Sequence, residues 1–206
     1  GMFYFIMRIR TKALKKSESK LKNEVAKRTV QLREQNEEIQ TKNKDIIDSI
    51  EYAQKLQESL LPDKTILAKT FDDAFIYYKP KDIVSGDFYW IEKKGNTTYF
   101  SVADCTGHGV PGALVSVVGT NALNRCLFEF DISTTNGIMD KLSNLIETAF
   151  SSGSSNVKDG MDMVLCSIEN TENPVLKYSG ANNPIWIIRN KEFTKEKHLK
   201  DKVRTY

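Results

Sequence analysis

From Val25 onward every seventh residue is apolar: Val25, Leu32, Ile39, Ile46, Ala53 and Leu60. The companion seam positions are Leu14, Leu21, Arg28, Gln35, Lys42, Ser49 and Leu56. One register is therefore apolar and the other is apolar only at its ends. Residues 11–61 contain neither glycine nor proline. A sustained period of seven predicts a long helix whose stripe stays aligned with a partner helix. The alternative is a single solvated helix packed on its own domain. A parallel dimeric coiled coil is favoured, because the stripe outruns any core that so short a chain can build. Its polar companions weaken the middle. Pro62 ends the helix, since proline pushes its predecessor out of the α region.

Gly1 before Met2 reads as a cloning remnant. Phe3, Tyr4, Phe5, Ile6, Met7 and Ile9 then form an apolar cluster, with Arg8, Arg10, Lys12, Lys15 and Lys16 interleaved and following. A spanning helix needs ~20 apolar residues, so residues 1–10 cannot cross a bilayer. Two readings stay open: the membrane-proximal end of a transmembrane helix with its positive-inside flank, or an unstructured start.

Beyond Pro62 the periodicity changes. Phe75–Tyr78, Phe88–Ile91 and Thr97–Val102 read as strands, the last two joined through the hairpin signal Gly95-Asn96. A helix is predicted from about Val110 to Phe130, with Pro111 in the first turn where proline is tolerated. A second helix covers about Gly137 to Phe150, and Ser151 to Asn156 reads as a small-residue loop. Met161–Glu169, Val175–Gly180 and Ile185–Arg189 read as three more strands. Strands, two helices, then strands predict an α+β layered domain with an antiparallel sheet. Residues 191–206 are lysine-rich and helix-like. The expected organisation is a stub at 1–10, a coiled-coil helix at 11–61 and a globular domain at 62–206.

Composition narrows the function classes. With 206 residues, 40% apolar and 28% charged, the chain fits one domain plus an extension. A net charge of +3, without basic residues interleaved with aromatics on a strand surface, argues against nucleic acid as a partner. Cys105, Cys126 and Cys166 are odd in number and show no CxxC spacing. That argues against a zinc site or a disulfide framework and for a reducing, cytoplasmic setting.

The candidate chemistry lies in three aspartates at expected strand ends. Asp87 sits in Ser85-Gly86-Asp87-Phe88-Tyr89-Trp90, Asp104 in Val102-Ala103-Asp104-Cys105-Thr106-Gly107-His108-Gly109, and Asp162 in Asp159-Gly160-Met161-Asp162-Met163. Hard divalent cations take oxygen ligands, and Mg²⁺ takes few carboxylates because it keeps its waters. Asp104 follows an apolar strand directly and is the best placed to be a shared ligand. A single aspartate in a turn is more often only a turn residue. Gly107-His108-Gly109 lacks the lysine and spacing of a P-loop.

Ser-Gly-Asp-Phe-Tyr at 85–89 and Ala-Asp-Cys-Thr-Gly-His-Gly-Val-Pro-Gly-Ala at 103–113 resemble the hallmark motifs of the SpoIIE/RsbU branch of the metal-dependent (PPM) protein phosphatases. Gln57-Glu58-Ser59-Leu60-Leu61-Pro62 resembles the helix that leads into that domain. Asp159-Gly160-Met161-Asp162 and Ser179-Gly180-Ala181-Asn182-Asn183-Pro184 resemble its later segments. The resemblance covers roughly residues 50–190, and Ala103–Ala113 is its most specific part.

The resemblance implies a β-sandwich flanked by helices with two Mn²⁺ or Mg²⁺ ions. Asp104 would bridge the ions, the Cys105 carbonyl would ligate, Asp87 would act mainly through water, and Asp162 would serve the second ion, with Asp159 a weaker substitute. The implied reaction is single-step hydrolysis of phosphoserine or phosphothreonine, with Asp87 and Asp104 the catalytic residues. The implied substrate is a regulatory phosphoprotein such as an anti-sigma-factor antagonist. The implied location is cytoplasmic, at the inner face of a membrane if the parent protein is anchored. His108 is placed to protonate a leaving group or, more in keeping with its position, to hydrogen-bond the loop backbone. One departure stands out: the family's further aspartate, in a Ser/Thr-Asp-Gly motif, does not occur before Tyr206. The domain is therefore expected to be incomplete. The competing reading is a dimerising signal-transmission module without turnover.

Overall fold

A computed structural model of the chain describes residues 1–151, 159–189 and 192–195. The chain divides into two compact units, residues 1–49 and residues from Ile50 onward.

In the first unit the chain is helical from Met2, within α1 (Met2–Leu60), and every residue is exposed. With no glycine or proline to interrupt it, the backbone propagates freely. Glu18–Lys22 (2.8 Å), Glu24–Arg28 (2.9 Å) and Glu38–Lys42 (2.6 Å) pair one turn apart. Each has glutamate on the N-terminal side, the favourable order, contributing about 0.2–0.5 kcal/mol. Residues 2–10 continue this helix, and no described helix is long and apolar enough to cross a membrane.

The second unit begins with the last turns of α1. Asp63 accepts a hydrogen bond from the Thr65 amide (3.0 Å) and caps the short α2 (Lys64–Thr70). β1 (Phe88–Lys94) and β2 (Thr97–Cys105) form the hairpin expected at Gly95-Asn96. Gly95 takes φ 60°, which a two-residue hairpin turn of this kind needs at its first central position. α3 (Gly109–Asn124) and α4 (Thr135–Ser151) follow, then β3 (Met161–Glu169), β4 (Leu176–Ala181), β5 (Trp186–Arg189) and β6 (Glu192–Lys195). The antiparallel sheet runs β1-β2-β3-β4, and β5-β6 form a separate pair. This is the α+β order read from the sequence.

One face of the sheet carries the core. Phe88, Trp90, Tyr99, Ala103, Met163 and Leu165 pack against residues of α3 and α4 such as Val115, Leu123, Ile138 and Leu142. The helix-facing residues alternate along β1, β2 and β3, and on the other face Ile91, Thr98 and Cys166 are buried as well, where Phe71 meets Phe100 edge-on at 5.4 Å.

Three expectations need correction. Phe75–Tyr78 is not a strand: Phe75 and Tyr77 are exposed and have no ladder partner. Its aromatics follow strand propensity, but propensity records packing on a sheet surface, and none is offered here. The helix expected to Phe130 ends its α form at Asn124 and closes through a π turn, Arg125–Glu129, with the Phe130 amide donating to the Arg125 carbonyl (2.9 Å). The helix-like reading of 191–206 fails at Glu192–Lys195, which pairs with β5 as a strand. The small-residue loop expected at Ser151–Asn156 lies, beyond Ser151, outside the described residues. So does the rest of the lysine-rich segment beyond Lys195.

Candidate metal centre

The antiparallel registers bring the three motif aspartates into one row. Asp104 lies opposite Asp162 on β3. Phe88 lies opposite Ala103, so Asp87, one residue before β1, continues the same pairing towards Asp104. Directly opposed residues point to the same face. That face is the one away from the helices, since Ala103, Cys105 and Met163 beside the row are buried in the core. Asp159 precedes β3 and stands outside the row.

The approach to Asp87 is fixed from several sides. Gln57, buried at the end of α1, donates from Nε2 to the Ser85 carbonyl (2.5 Å) and to Ser116 Oγ (2.7 Å). Its Oε1 accepts from the Ser85 amide (3.0 Å). The Ser116 hydroxyl donates in turn to the Ala113 carbonyl (2.8 Å). Ser85 Oγ accepts from the Asp87 amide (3.0 Å), and the Tyr78 hydroxyl donates to the Asp87 carbonyl (3.3 Å). The Tyr78 ring meets the Tyr89 ring edge-on at 5.8 Å.

Glycines allow the loops to touch. A Cβ on Gly86 would lie 2.9 Å from the Gly107 carbonyl oxygen and 3.2 Å from that of Cys105. One on Gly112 would lie 2.6 Å from the Gly107 oxygen. Both obstacles are backbone, so neither position admits a larger residue without a shift. The result sets the Asp87 turn directly against the backbone of Cys105.

Thr106 anchors the far side of that loop. Its amide and hydroxyl both donate to the Gly160 carbonyl (2.9 and 3.0 Å), and its Oγ1 accepts from the Gly160 amide (3.0 Å). Asp162 Oδ1 accepts from Asn182 Nδ2 (2.8 Å), and the Asp162 carbonyl accepts from Asn183 Nδ2 (2.9 Å). His108 does not bond the loop backbone with its ring as expected. Its Nδ1 meets Asp82 Oδ2 at 3.0 Å.

The electrostatics suit a cation. Asp87 has its pKa raised, first by burial, then by its hydrogen bond and like charge with Asp104. No described ion pair involves Asp87, Asp104 or Asp162. An acidic pair of oxygen donors without a cationic partner, beside a carbonyl, is the donor chemistry of Mg²⁺ or Mn²⁺. Among the described residues no three such side chains already converge at metal-holding distance. The donors fit in kind and in row, with Asp87 and Asp104 in contact and Asp162 turned to Asn182. Cys105 can offer only its carbonyl: burial, then the two aspartates, push its thiol up to about 12.

No protein-family model matches the chain, and no curated protein does. Among solved structures it is similar to the SiaA-PP2C domain of Pseudomonas aeruginosa, with 28% identity and a TM-score of 0.65. The fold is similar to that of a PP2C domain. The likeness covers 75% of this chain and 61% of that one, so the chain spans less than two thirds of its neighbour's length. It supports the phosphatase family that the motifs resemble, without distinguishing the SpoIIE/RsbU branch.

The sequence pointed to the aspartates and to the Cys105 carbonyl. It did not reveal the positioning residues Gln57, Tyr78, Thr106, Asn182 and Asn183. A glutamine in a long amphipathic helix gives no signal of its own. Its one hint was the helix motif in which it stood.

Proposed function

We propose that this chain carries the site of a metal-dependent phosphatase that removes phosphate from phosphoserine or phosphothreonine on a regulatory protein. The observation that carries the reading is the row formed by Asp87 just before β1, Asp104 on β2 and Asp162 on β3, its first two members in contact and in no described ion pair. The likeness to a PP2C domain supports the same chemistry.

Asp87, Asp104, the Cys105 carbonyl and Asp162 would hold two Mn²⁺ or Mg²⁺ ions. When bound, such ions supply Lewis acidity toward phosphoryl oxygens and a nucleophile at neutral pH. The chain's own residues set the geometry for them. Gln57, Ser85 and Tyr78 hold the Asp87 backbone, and Thr106 locks the Asp104 loop to the start of β3. Asn182 and Asn183 orient Asp162. Preorganised groups of this kind cost no rearrangement as charge develops. No cysteine takes part as a nucleophile, since each thiol is buried.

The resemblance to the SpoIIE/RsbU branch supports a partner-switching substrate, such as an anti-sigma-factor antagonist, and a cytoplasmic site of action. The test is Mn²⁺-dependent hydrolysis of p-nitrophenyl phosphate and of a phosphoserine peptide, with Asp104→Ala alongside. Turnover that needs metal and is lost in Asp104→Ala is the expected result. If neither this chain nor a version extended at its C-terminus turns over, the reading is overturned in favour of a non-catalytic signalling module.

A further inference from the structure

The long helix carries a seam of alternating layers. Val25, Leu32, Ile39 and Ile46 are apolar and exposed, and each is followed three residues on by a polar one, Arg28, Gln35, Lys42 and Ser49, also exposed. Leu21 precedes the polar run and Leu56 follows it. The two cations in this run are each neutralised on their own helix: Arg28 Nη2 meets Glu24 Oε1 at 2.9 Å, and Lys42 Nζ meets Glu38 Oε1 at 2.6 Å.

We propose that residues 21–49 pair with the same residues of a second copy of this chain, parallel and with no stagger, and that the polar layers set this alignment. The inference does not depend on the phosphatase reading. In a parallel pair like layers meet like, aliphatic on aliphatic and polar on polar. Arg28 and Lys42 then face their own copies as neutral pairs with Glu24 and Glu38, which offsets the repulsion between like charges. Sliding one helix by seven residues sets Leu21 against Arg28 and Ser49 against Leu56. Each such layer buries a polar group against a leucine and leaves it unpaired.

Reversing one helix is worse. Val25 then faces Ser49, Arg28 faces Ile46, Leu32 faces Lys42 and Gln35 faces Ile39, so every layer is mixed. Reversal also brings the flanking acids Glu24, Glu38 and Asp45, each one residue before the apolar seam, onto the same flank from both chains. Like charges on a flank set orientation against that arrangement. A different protein as the occupant would have to supply the same alternation in the same phase. A second copy supplies it by identity.

The test uses the full chain. Cys105, Cys126 and Cys166 are buried, so an introduced seam thiol is the accessible one. Gln35→Cys oxidised with diamide is expected to give a covalent dimer. An oxidised mixture of Val25→Cys and Ser49→Cys chains is expected to give no peptide joining position 25 of one chain to position 49 of the other. Replacing all four polar companions (Arg28→Leu, Gln35→Leu, Lys42→Leu and Ser49→Leu) is expected to tighten self-association at least roughly tenfold and to admit staggered cross-links, as loss of a polar core device does. A monomer throughout a sedimentation series into the high micromolar range overturns the proposal. So does a 25–49 cross-link, or a leucine variant that associates more weakly or stays in register.

Discussion

At the scale of single residues, Gln57 makes the most consequential contact in the chain. It satisfies both backbone groups of Ser85 while standing 28 residues away. Gln57→Ala would leave a buried amide and a buried carbonyl unpaired, at about 1–3 kcal/mol for each group. Urea unfolding should therefore show a loss of at least about 2 kcal/mol, and any metal-dependent turnover should fall with it because Asp87 loses its support. The glycines can be tested as a pair. Gly112→Ala places a methyl 2.6 Å from the Gly107 carbonyl oxygen and should cost about 1–3 kcal/mol by overpacking. Gly95→Ala meets open space and is strained only by its φ of 60°, so it should cost about 1–2 kcal/mol and leave the site intact. A site-specific defect in Gly112→Ala that is missing from Gly95→Ala, with both measured by urea midpoint and turnover, is the expected contrast. The aspartates themselves were legible, because motif chemistry shows in residue types. Their supports were not, because a hydrogen bond between positions 57 and 85 leaves no local pattern.

At the scale of elements, the β1–β2 hairpin was legible because its turn chemistry is local and its flanks are apolar. The run Phe75–Tyr78 had the same aromatic content, and its place outside the ladder shows how weakly residue type alone decides a strand. The π turn after Asn124 was illegible for a similar reason, since nothing in Arg125–Glu129 marks an extra residue in the helical turn. Within the ladder, Thr98 on β2 is fully buried and its hydroxyl has no partner. Thr98→Val keeps the shape and removes the unpaired group, so urea unfolding should find it neutral or stabilising. The buried thiols give a further check on the sheet and helix layer. Burial raises Cys166 to about 12, and burial also raises Cys126 to about 11 against the lowering by Lys141 and Arg125. A raised pKa means less thiolate at pH 8, and thiolate is the reactive form. Iodoacetamide at that pH should label none of the three cysteines in native protein and all three in urea, as read by mass spectrometry.

At the scale of the whole molecule, one helix serves two units. Pro62 marks where the helix must stop, and the sequence placed the domain edge there. Yet the second unit begins at Ile50, because the last turns of α1 supply Gln57 and contact the layer around Phe88 and Ser116. Helix periodicity runs unbroken through this boundary, so no change of pattern announces it. Two deletions separate the roles. Removing residues 1–49 takes away only exposed side chains and their i,i+4 pairs, which contribute a few tenths of a kcal/mol each to the helix itself. The remaining chain should keep its urea midpoint, its thiol protection and whatever turnover the full chain has, while losing self-association. Removing residues 1–61 also takes Gln57 and exposes Ser85 and Ser116. That chain should be less stable by at least about 1 kcal/mol, the net worth of the two hydrogen bonds that Gln57 makes to Ser85, with the packing of Leu61 against the core lost besides, and its site should fail with it. If the shorter deletion already lowers the midpoint of the globular unit, residues 1–49 contribute to its stability and the division at Ile50 is wrong. If the longer one leaves the midpoint unchanged, Gln57 has no structural role and the support proposed for Asp87 must come from Tyr78 and the glycine contacts alone.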